Sequence, residues 1–278
     1  MSESLVVYTA VFGDYDVVVN PVKPEEDIDY ICFTDRPDSI PSGWETREIE
    51  LPDLSDKLKS GYIKIHPHKL FPEHKMSLWV DGNIVIVGEV SALAEQLLQE
   101  SDLAVPMHPD RNCIYREADV CLNMGIVEER ATSEKMDQYR RENYPKNNGL
   151  SETRILVRKH QEPDIVMTMN LWWEEYNSGP ERDQLSFDYA TWKAGINVNH
   201  LDSTFPVDSQ YFKQYPHKAD MKAKRVYEIL LRMRWNPRYA VQKYIGLVLL
   251  SVYLFGVAVA ETLIRAVKLL TAPEKREF

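Results

Sequence analysis

The sequence predicts an α/β domain over residues 1–212 and a helical, membrane-associating extension over residues 213–278. Three observations support this division. Apolar runs of strand length alternate with segments of helical period in the first part, which is typical of a sheet flanked by helices. The second part opens with nine Lys/Arg and two acidic residues up to Lys243, a net charge of +7. An uncharged run from Tyr244 to Ala260 follows.

The first predicted elements are three strands and one helix. Leu5–Phe12 and Tyr30–Phe33 are apolar runs of the kind that form buried strands, and Thr46–Ile49 shows the alternation of a strand with one buried face. Leu58–Ile65 is predicted to be a short helix. It should end at His66, because the residue before a proline disfavours helical geometry.

The later elements continue the alternation. Val90–Glu100 is predicted to be an amphipathic helix, because its leucines share one face. Leu103–Met107 returns as a strand. The remaining predictions are a strand at Arg154–Arg158 and helices at Ser133–Asn143, Ile165–Tyr176 and Gln184–Lys193.

The segment Ser77–Val87 places Asp81 and Asn83 in a tight turn between apolar residues. One interpretation is a two-residue hairpin, which requires no ligand. The other is a ligand site, because open α/β sheets bind ligands beyond the carboxyl ends of their strands. The Asp-x-Asn spacing also presents two oxygen-bearing side chains, which suit a hard divalent cation.

Residues near this turn in sequence suggest a site for an anionic ligand. Residues 1–212 carry a net charge of −18, which is the total of −10 less +7 and the +1 of residues 244–278. Salt screens the interaction between charges over about 8 Å, so nearby cations determine whether an anion can bind in this acidic domain. Lys64 is therefore the preferred phosphate contact. Asp35 follows the second strand and suits a ribose hydroxyl, or equally caps a turn.

Seven segments occur in the order expected of one protein family. They are Tyr8–Asp16, Gly61–Lys64 followed by His68 and Phe71-Pro72, Trp79–Asn83, Arg111 with Tyr115–Ala118, Leu156–His160, Leu171–Glu174 and Arg182–Phe187. Together they resemble the glycosyltransferase-like family named for plant turgor-regulation-defect and mucilage-related proteins, which also has bacterial members. The resemblance extends over residues 5–200.

This resemblance implies a GT-A-like nucleotide-diphospho-sugar transferase fold, a mixed sheet flanked by helices. The donor-binding residues would then be Tyr8, Thr9, Phe12, Asp35, Lys64 and Asp81. The acceptor or phosphate contacts would be Arg111, Glu117, Arg158, His160 and Trp173. The alternatives are that Arg111 and Glu117 pair with each other, that His160 is structural, and that Trp173 belongs to the core. Arg182 and Asp183 would be catalytic, with Asp183 as the base that activates the acceptor hydroxyl. The alternative for Asp183 is a helix cap that pairs with a neighbouring arginine.

The resemblance also places Asp81 and Asn83 where such transferases carry an Asp-x-Asp metal motif. His200 is a separate candidate for a late metal ligand. Mn²⁺ or Mg²⁺ is the implied cofactor. Asn83 supplies a neutral oxygen where a carboxylate would supply charge, so the affinity for a metal should be lower. A lysine that replaces the metal is the alternative source of positive charge.

The uncharged run Tyr244–Ala260 predicts membrane attachment. As a helix it would be about 26 Å long, slightly shorter than a hydrocarbon core of about 30 Å, so it could span with thinning or lie tilted in one leaflet. The basic stretch before it matches a cytoplasmic flank and would attract an anionic membrane surface. A buried core helix is the alternative. A nucleic-acid partner is not expected, because it would leave the apolar run unexplained.

The remaining features set the expected compartment and function. Three widely spaced cysteines indicate a reducing compartment, and Met1–Ser4 lacks the basic region of a secretory signal. We therefore expect a glycosyltransferase at the cytoplasmic face of a membrane. It would move a sugar from a nucleotide-diphosphate donor to a glycan or lipid-linked acceptor in surface polysaccharide biosynthesis. The alternatives are a non-catalytic nucleotide- or sugar-binding protein and a membrane-tethered scaffold.

Overall fold

The computed structural model describes residues 4–237 and 240–271, with side chains up to residue 264. The chain divides into two compact units, residues 1–217 and 218–278. The predictions that concern Met1–Glu3, Arg238, Tyr239 and residues 272–278 lie outside the described residues.

The first unit is built on a mixed seven-stranded sheet. Its strands and those of a small second sheet are β1 Leu5–Val11, β2 Asp29–Thr34, β3 Glu45–Arg47, β4 Met76–Val80, β5 Ile84–Ile86, β6 Leu103–Pro106, β7 Ile155–Arg158, β8 Asn199–Leu201 and β9 Phe212–Gln214. The large sheet has the order β3-β2-β1-β4-β7-β6-β8, and β7 runs antiparallel to both of its neighbours. The small sheet is the antiparallel pair of β5 and β9.

Seven helices accompany the sheet in the described part of this unit, and two helices form the second unit. They are α1 Asp56–Ile65, α2 Pro67–Leu70, α3 Ser91–Leu97, α4 Ile114–Met124, α5 Glu129–Arg141, α6 Pro163–Asn177, α7 Gln184–Ala194, α8 Lys224–Trp235 and α9 Ala240–Thr271. The predicted α/β class, with helices beside a mixed sheet and an apolar C-terminal helix, is confirmed.

Two sets of predictions about individual elements differ from the structure. The hairpin interpretation of the Asp81 turn is wrong, because β4 pairs with β1 and β7 while β5 pairs with β9. Four elements were not predicted, namely α2, α4, β8 and β9. α2, β8 and β9 are only three or four residues long, which is too short for a sequence pattern to show a buried face. β9 also crosses the predicted boundary at residue 212.

The second unit contains two antiparallel helices in close contact. A Cβ on Gly246 of α9 would lie 2.6 Å from the backbone nitrogen of Arg234, near the end of α8. At the other end of the contact, Tyr227 of α8 stacks on Tyr253 of α9 with ring centroids 6.2 Å apart. Because glycine has no side chain, the two backbones can approach at this point.

Three histidines in the first unit are held neutral by burial. Desolvation lowers the pKa of His66 to about 3 and the pKa values of His68 and His160 to about 4. Hydrogen bonds to the carbonyl oxygens of Tyr62 and Phe71 hold His66 and His160 at 2.8 and 3.1 Å and oppose these shifts in part.

We expect acid to destabilise the fold through these histidines. In the unfolded chain they bind protons below about pH 6.5, whereas in the folded chain they remain neutral down to about pH 4. Their contribution to stability is therefore complete above pH 6.5 and falls as the pH drops toward 4, by on the order of 1–2 kcal/mol per histidine at pH 5. Urea unfolding of the full chain in mild detergent at several pH values measures this slope. A His160→Gln variant should flatten it, and parallel curves for the variant and the wild type would contradict the assignment.

Candidate active site

A cavity of about 450 Å³ opens at the carboxyl ends of β1 and β4. The residues at the start of α7 and one face of α1 complete its wall. The cations in its lining are Lys57, Lys64 and Arg182, and the carboxylates are Asp16, Asp56, Asp81, Glu181 and Asp183. Phe12, Tyr15, Trp79, Tyr176 and His217 add rings. The predicted residues Phe12, Lys64, Asp81, Arg182 and Asp183 therefore all lie at one site.

Lys64 is at the centre of the charges in this cavity. Its Nζ lies 2.5 Å from Oδ2 of Asp183 and 3.6 Å from Oδ1 of Asp81. Thr153 is a third polar neighbour, with its Oγ1 3.1 Å from the ammonium. The indole Nε1 of Trp79 donates to Oδ1 of Asp81 at 2.8 Å, so this carboxylate is fixed from two sides. One ammonium thus joins the end of β4 to the start of α7.

Two buried side chains fix the backbone that carries this lysine. The hydroxyl of Tyr8 and Nη2 of Arg158 both donate to the carbonyl oxygen of Lys64, at 2.8 and 2.9 Å. Nη2 of Arg158 also donates to the hydroxyl of Tyr8. Both residues are completely buried, and neither lines the cavity. Their roles as donor and phosphate contacts remain predictions, and in this structure both side chains instead hold the backbone at Lys64.

Asp183 has a strongly acidic carboxyl group. Burial alone would raise its pKa, but the charges of Lys64 and Arg182 and the hydrogen bonds from Lys64 and Thr153 together hold it well below its usual range. The same carboxylate caps α7, because its Oδ1 accepts from the backbone N–H of Gln184 at 3.0 Å. Asp183 is therefore a helix cap, as one interpretation predicted, and its carboxylate also faces the cavity, where the predicted catalytic base would have to lie.

Asp16 and His217 line the cavity although the sequence did not mark them as site residues. Nδ1 of His217 lies 3.0 Å from both carboxylate oxygens of Asp16. A Cβ on Gly82 would lie 2.5 Å from Val11 and 3.3 Å from Oδ2 of Asp16, so only glycine allows the two loops to approach. The turn Gly13-Asp14-Tyr15-Asp16 after β1 was the available signal. Nothing in the sequence indicated that His217 would return to it.

The predicted metal ligands are not assembled. Asn83 donates its amide to the carbonyl of Tyr215 at 2.7 Å and does not line the cavity. His200 lies with Nε2 3.4 Å from Oγ of Ser151, which is bonded to Asp188. At Asp81, an ammonium and an indole N–H already face one oxygen. Within the described residues, no three His, Cys, Asp or Glu side chains are arranged to hold a metal ion. The residues therefore do not fit a divalent cation between Asp81 and Asn83.

A second polar cluster adjoins the cavity at Arg182. Glu117 is buried on α4, where it is bonded to Nε of Arg111 and lies 3.9 Å from Nη2 of Arg182. Glu152, also buried, accepts from Gln184 at 2.8 Å and pairs with Arg154 at 2.7 Å. Arg111 and Glu117 thus pair with each other, and neither lines the cavity.

The other predicted contacts lie outside the cavity lining. Thr9 is buried within β1, and His160 is buried against the carbonyl of Phe71. Asp35 accepts from the backbone N–H of Gly13 at 3.3 Å and so stands at the rim. Trp173 packs edge-on to Tyr62 and His66, with ring centroids 5.3 Å away in each case.

Comparison with known proteins gives a consistent result. A family model for the TOD1/MUCI70 glycosyltransferase-like domain matches residues 43–217. The chain is also similar to a protein of Arabidopsis thaliana named "Probable hexosyltransferase MUCI70", with 24% identity over 229 residues. This match covers 72% of the chain and 39% of the relative, so the chain spans about two fifths of that protein's length. An apo structure of the bifunctional glycosyltransferase WbbM matches with a TM-score of 0.45 and 10% identity, over 72% of this chain and 39% of that one.

The mixed sheet, its flanking helices and the family match define an α/β protein of the glycosyltransferase-like class. The family model covers more than half of the chain. The chain belongs to the TOD1/MUCI70 glycosyltransferase-like family.

We expect Lys64→Met to destabilise the protein in a pH-dependent way. The substitution leaves the carboxylates of Asp81 and Asp183 without their shared cation, which should cost roughly 2–4 kcal/mol of unfolding free energy at pH 7. The pKa of Asp183 would rise in the variant, so protonation near pH 4 should recover part of the loss. Denaturant unfolding at both pH values tests this. Lys57→Met, an exposed lysine of the same helix and cavity, is the control and should change stability by less than about 0.5 kcal/mol. An equal loss at both pH values would mean that packing, not charge, is responsible.

Proposed function

We propose that the protein is a glycosyltransferase that moves a sugar, for example a hexose, from a nucleotide-diphosphate donor to a hydroxyl of a glycan or lipid-linked acceptor. Family membership and the hexosyltransferase name of the Arabidopsis relative support the reaction class. The observation that carries the proposal is the position of Lys64. It is a buried ammonium in the wall of a cavity whose rings and hydroxyl-binding groups suit a nucleotide sugar.

The chemistry needs positive charge where the diphosphate departs. The bond between the anomeric carbon and the diphosphate oxygen breaks, and negative charge grows on that oxygen in an oxocarbenium-like transition state. A fixed cation in a site of low polarity stabilises this charge more than water does. Lys64 and Arg182 are the cations that we assign to this role, and no step is derived through a metal.

The ion pair between Lys64 and Asp183 couples donor binding to acceptor activation. A donor diphosphate competes with Asp183 for the ammonium of Lys64. When Lys64 turns to the diphosphate, Asp183 loses its strongest stabilising charge, and its pKa rises from its depressed value. Asp183 is then a stronger base and takes the proton of the acceptor hydroxyl as the new bond to the anomeric carbon forms.

We place this activity at the cytoplasmic face of a membrane, in the assembly of a surface polysaccharide. The free, buried state of Cys32, Cys113 and Cys121 is compatible with a reducing compartment. The helix segment Ala240–Ile264 is long and apolar enough to enter a bilayer, with a mean hydropathy of 2.2. A membrane-bound enzyme has direct access to lipid-linked acceptors, which is why we include them.

We expect nucleotide sugars to stabilise the wild-type protein and to lose this effect in Asp81→Ala and Lys64→Met. A thermal-shift panel of UDP- and GDP-hexoses measures it, because a ligand that binds only the folded state raises the melting temperature. The shift should persist in EDTA and should not need Mn²⁺, since Lys64 supplies the cation.

The control for this panel is Asp137→Ala, which removes an exposed carboxylate of α5. It should respond to donors as the wild type does. A shift that appears only with Mn²⁺ would contradict the lysine assignment. The absence of any donor-dependent shift in the wild type would favour the scaffold hypothesis.

Asp183→Asn should separate binding from catalysis. The amide keeps a cap for α7 but cannot accept the acceptor proton, so transfer should fall by about 10²–10⁴-fold. Donor affinity should not fall and should rise, because the variant no longer has the carboxylate that competes with the diphosphate for Lys64. Product formation by mass spectrometry, alongside donor titration, measures both quantities. Donor binding without any product in the wild type, over a broad acceptor panel, would favour the non-catalytic alternative.

A further inference from the structure

The charged residues of α9 lie on one face of the helix. Between Ala240 and Ile264, only Lys243 and Glu261 are charged. They are 18 residues apart, which is five turns at 3.6 residues per turn, so they share a face. Leu250 lies on this face too, because it follows Lys243 by seven residues and precedes Glu261 by eleven. It is only 2% exposed, and it lies one turn after Gly246, where α8 packs against α9.

The opposite face of α9 is an exposed apolar stripe. Its members recur every three or four residues, which is the spacing of one helix face. They are Val241, Ile245, Val248, Val252, Phe255 and Val259, all between 41% and 72% exposed. The two charges of this segment, near its two ends, therefore lie on the face opposite the stripe.

The neighbouring helix α8 carries a cluster of charges beside its contact with α9. Val226 and Ile229 of α8 are about half exposed, on the side away from the buried Tyr227. Glu228 is held between Lys218 and Arg232 at 2.6 and 3.0 Å. This charged trio stands beside Tyr227, which stacks on Tyr253.

We propose that α9 lies in the plane of one leaflet of an anionic membrane, with α8 packed on its water side. The stripe from Val241 to Val259, which faces away from α8, contacts the acyl chains. Lys243, Glu261 and the charged edge of α8 remain at the water side, where the basic residues meet lipid phosphates. The inference depends on the membrane attachment proposed above and is independent of transferase activity.

A spanning orientation conflicts with the contact between the two helices. The middle of Ala240–Ile264 is Val252, next to Tyr253. In a span centred there, Glu228 and its two cationic partners would lie near the bilayer midplane, where charges are costly. The in-plane orientation leaves all three in water and keeps the helix contact intact.

Cysteine accessibility on vesicles tests this arrangement. The full-length variants Lys243→Cys, Glu261→Cys and Val252→Cys are mixed with vesicles of phosphatidylglycerol and phosphatidylcholine and treated with a membrane-impermeant maleimide. The native cysteines are buried, so the wild type supplies the background. Lys243→Cys and Glu261→Cys should react at rates within about threefold of each other, whereas Val252→Cys should slow at least about tenfold when vesicles are added.

Each other outcome overturns the proposal in a recognisable way. Protection of Glu261→Cys until detergent is added means that α9 crosses the bilayer. Slow reaction of Val252→Cys before vesicles are added means that a second copy of the chain covers the stripe. Failure of the wild type to float with vesicles means that membrane attachment itself is absent. None of these readouts depends on nucleotide binding, so failure of the transferase assignment is detected separately.

Discussion

The ion pair between Lys64 and Asp183 determines the geometry of the whole site. It joins the last turn of α1 to the start of α7, and the more distant Asp81 adds the end of β4. The lysine is held from behind as well, because Tyr8 and Arg158 bond to its carbonyl oxygen from within the sheet. Four segments that are far apart in the chain therefore meet at one residue. A change in any of them would move the ammonium.

A buried ion pair of this kind adds little to the stability of the fold, but it fixes the positions of the residues around it. Removing two charges from water costs several kcal/mol for each ion in real proteins, and their mutual attraction offsets this only when hydrogen bonds complete the site. Thr153, Trp79 and the N–H of Gln184 provide those bonds. The first unit has a net negative charge, yet its residues hold one ammonium, that of Lys64, in a buried position. Such a fixed cation is suited to bind an anion. The pKa of Asp183 is held well below its usual range because Lys64 and Arg182 favour negative charge at this point.

Sequence patterns predicted the sheet class, most elements and five residues of the cavity wall, because buried strands and charged turns leave local signals. They failed where the position of a side chain depended on which strands pair or on which face of the sheet a strand residue occupies. Tyr8 and Arg158 were expected at the ligand, yet both point into the core, and a fully apolar strand such as β1 has no alternation to show which face is which. Asn83 was expected to bind metal with Asp81, but the pairing of β5 with β9 directs it to Tyr215. His217 is 201 residues from Asp16, and only the folded chain brings them together.

The C-terminal helix α9 also shows that sequence composition does not determine how an element is placed. Mean hydropathy selects Ala240–Ile264 as long enough to cross a bilayer, but an average does not record where the charges lie around the helix. Each charge at the midplane costs about 2.5–3.5 kcal/mol on insertion scales, and the trio around Glu228 would add to that cost. A helix with charges on one face and valines on the other avoids the cost by lying flat. The position of the charges around the helix axis, relative to the contact of α8 with Gly246, supports the in-plane orientation that we propose, which composition alone does not distinguish from a spanning one.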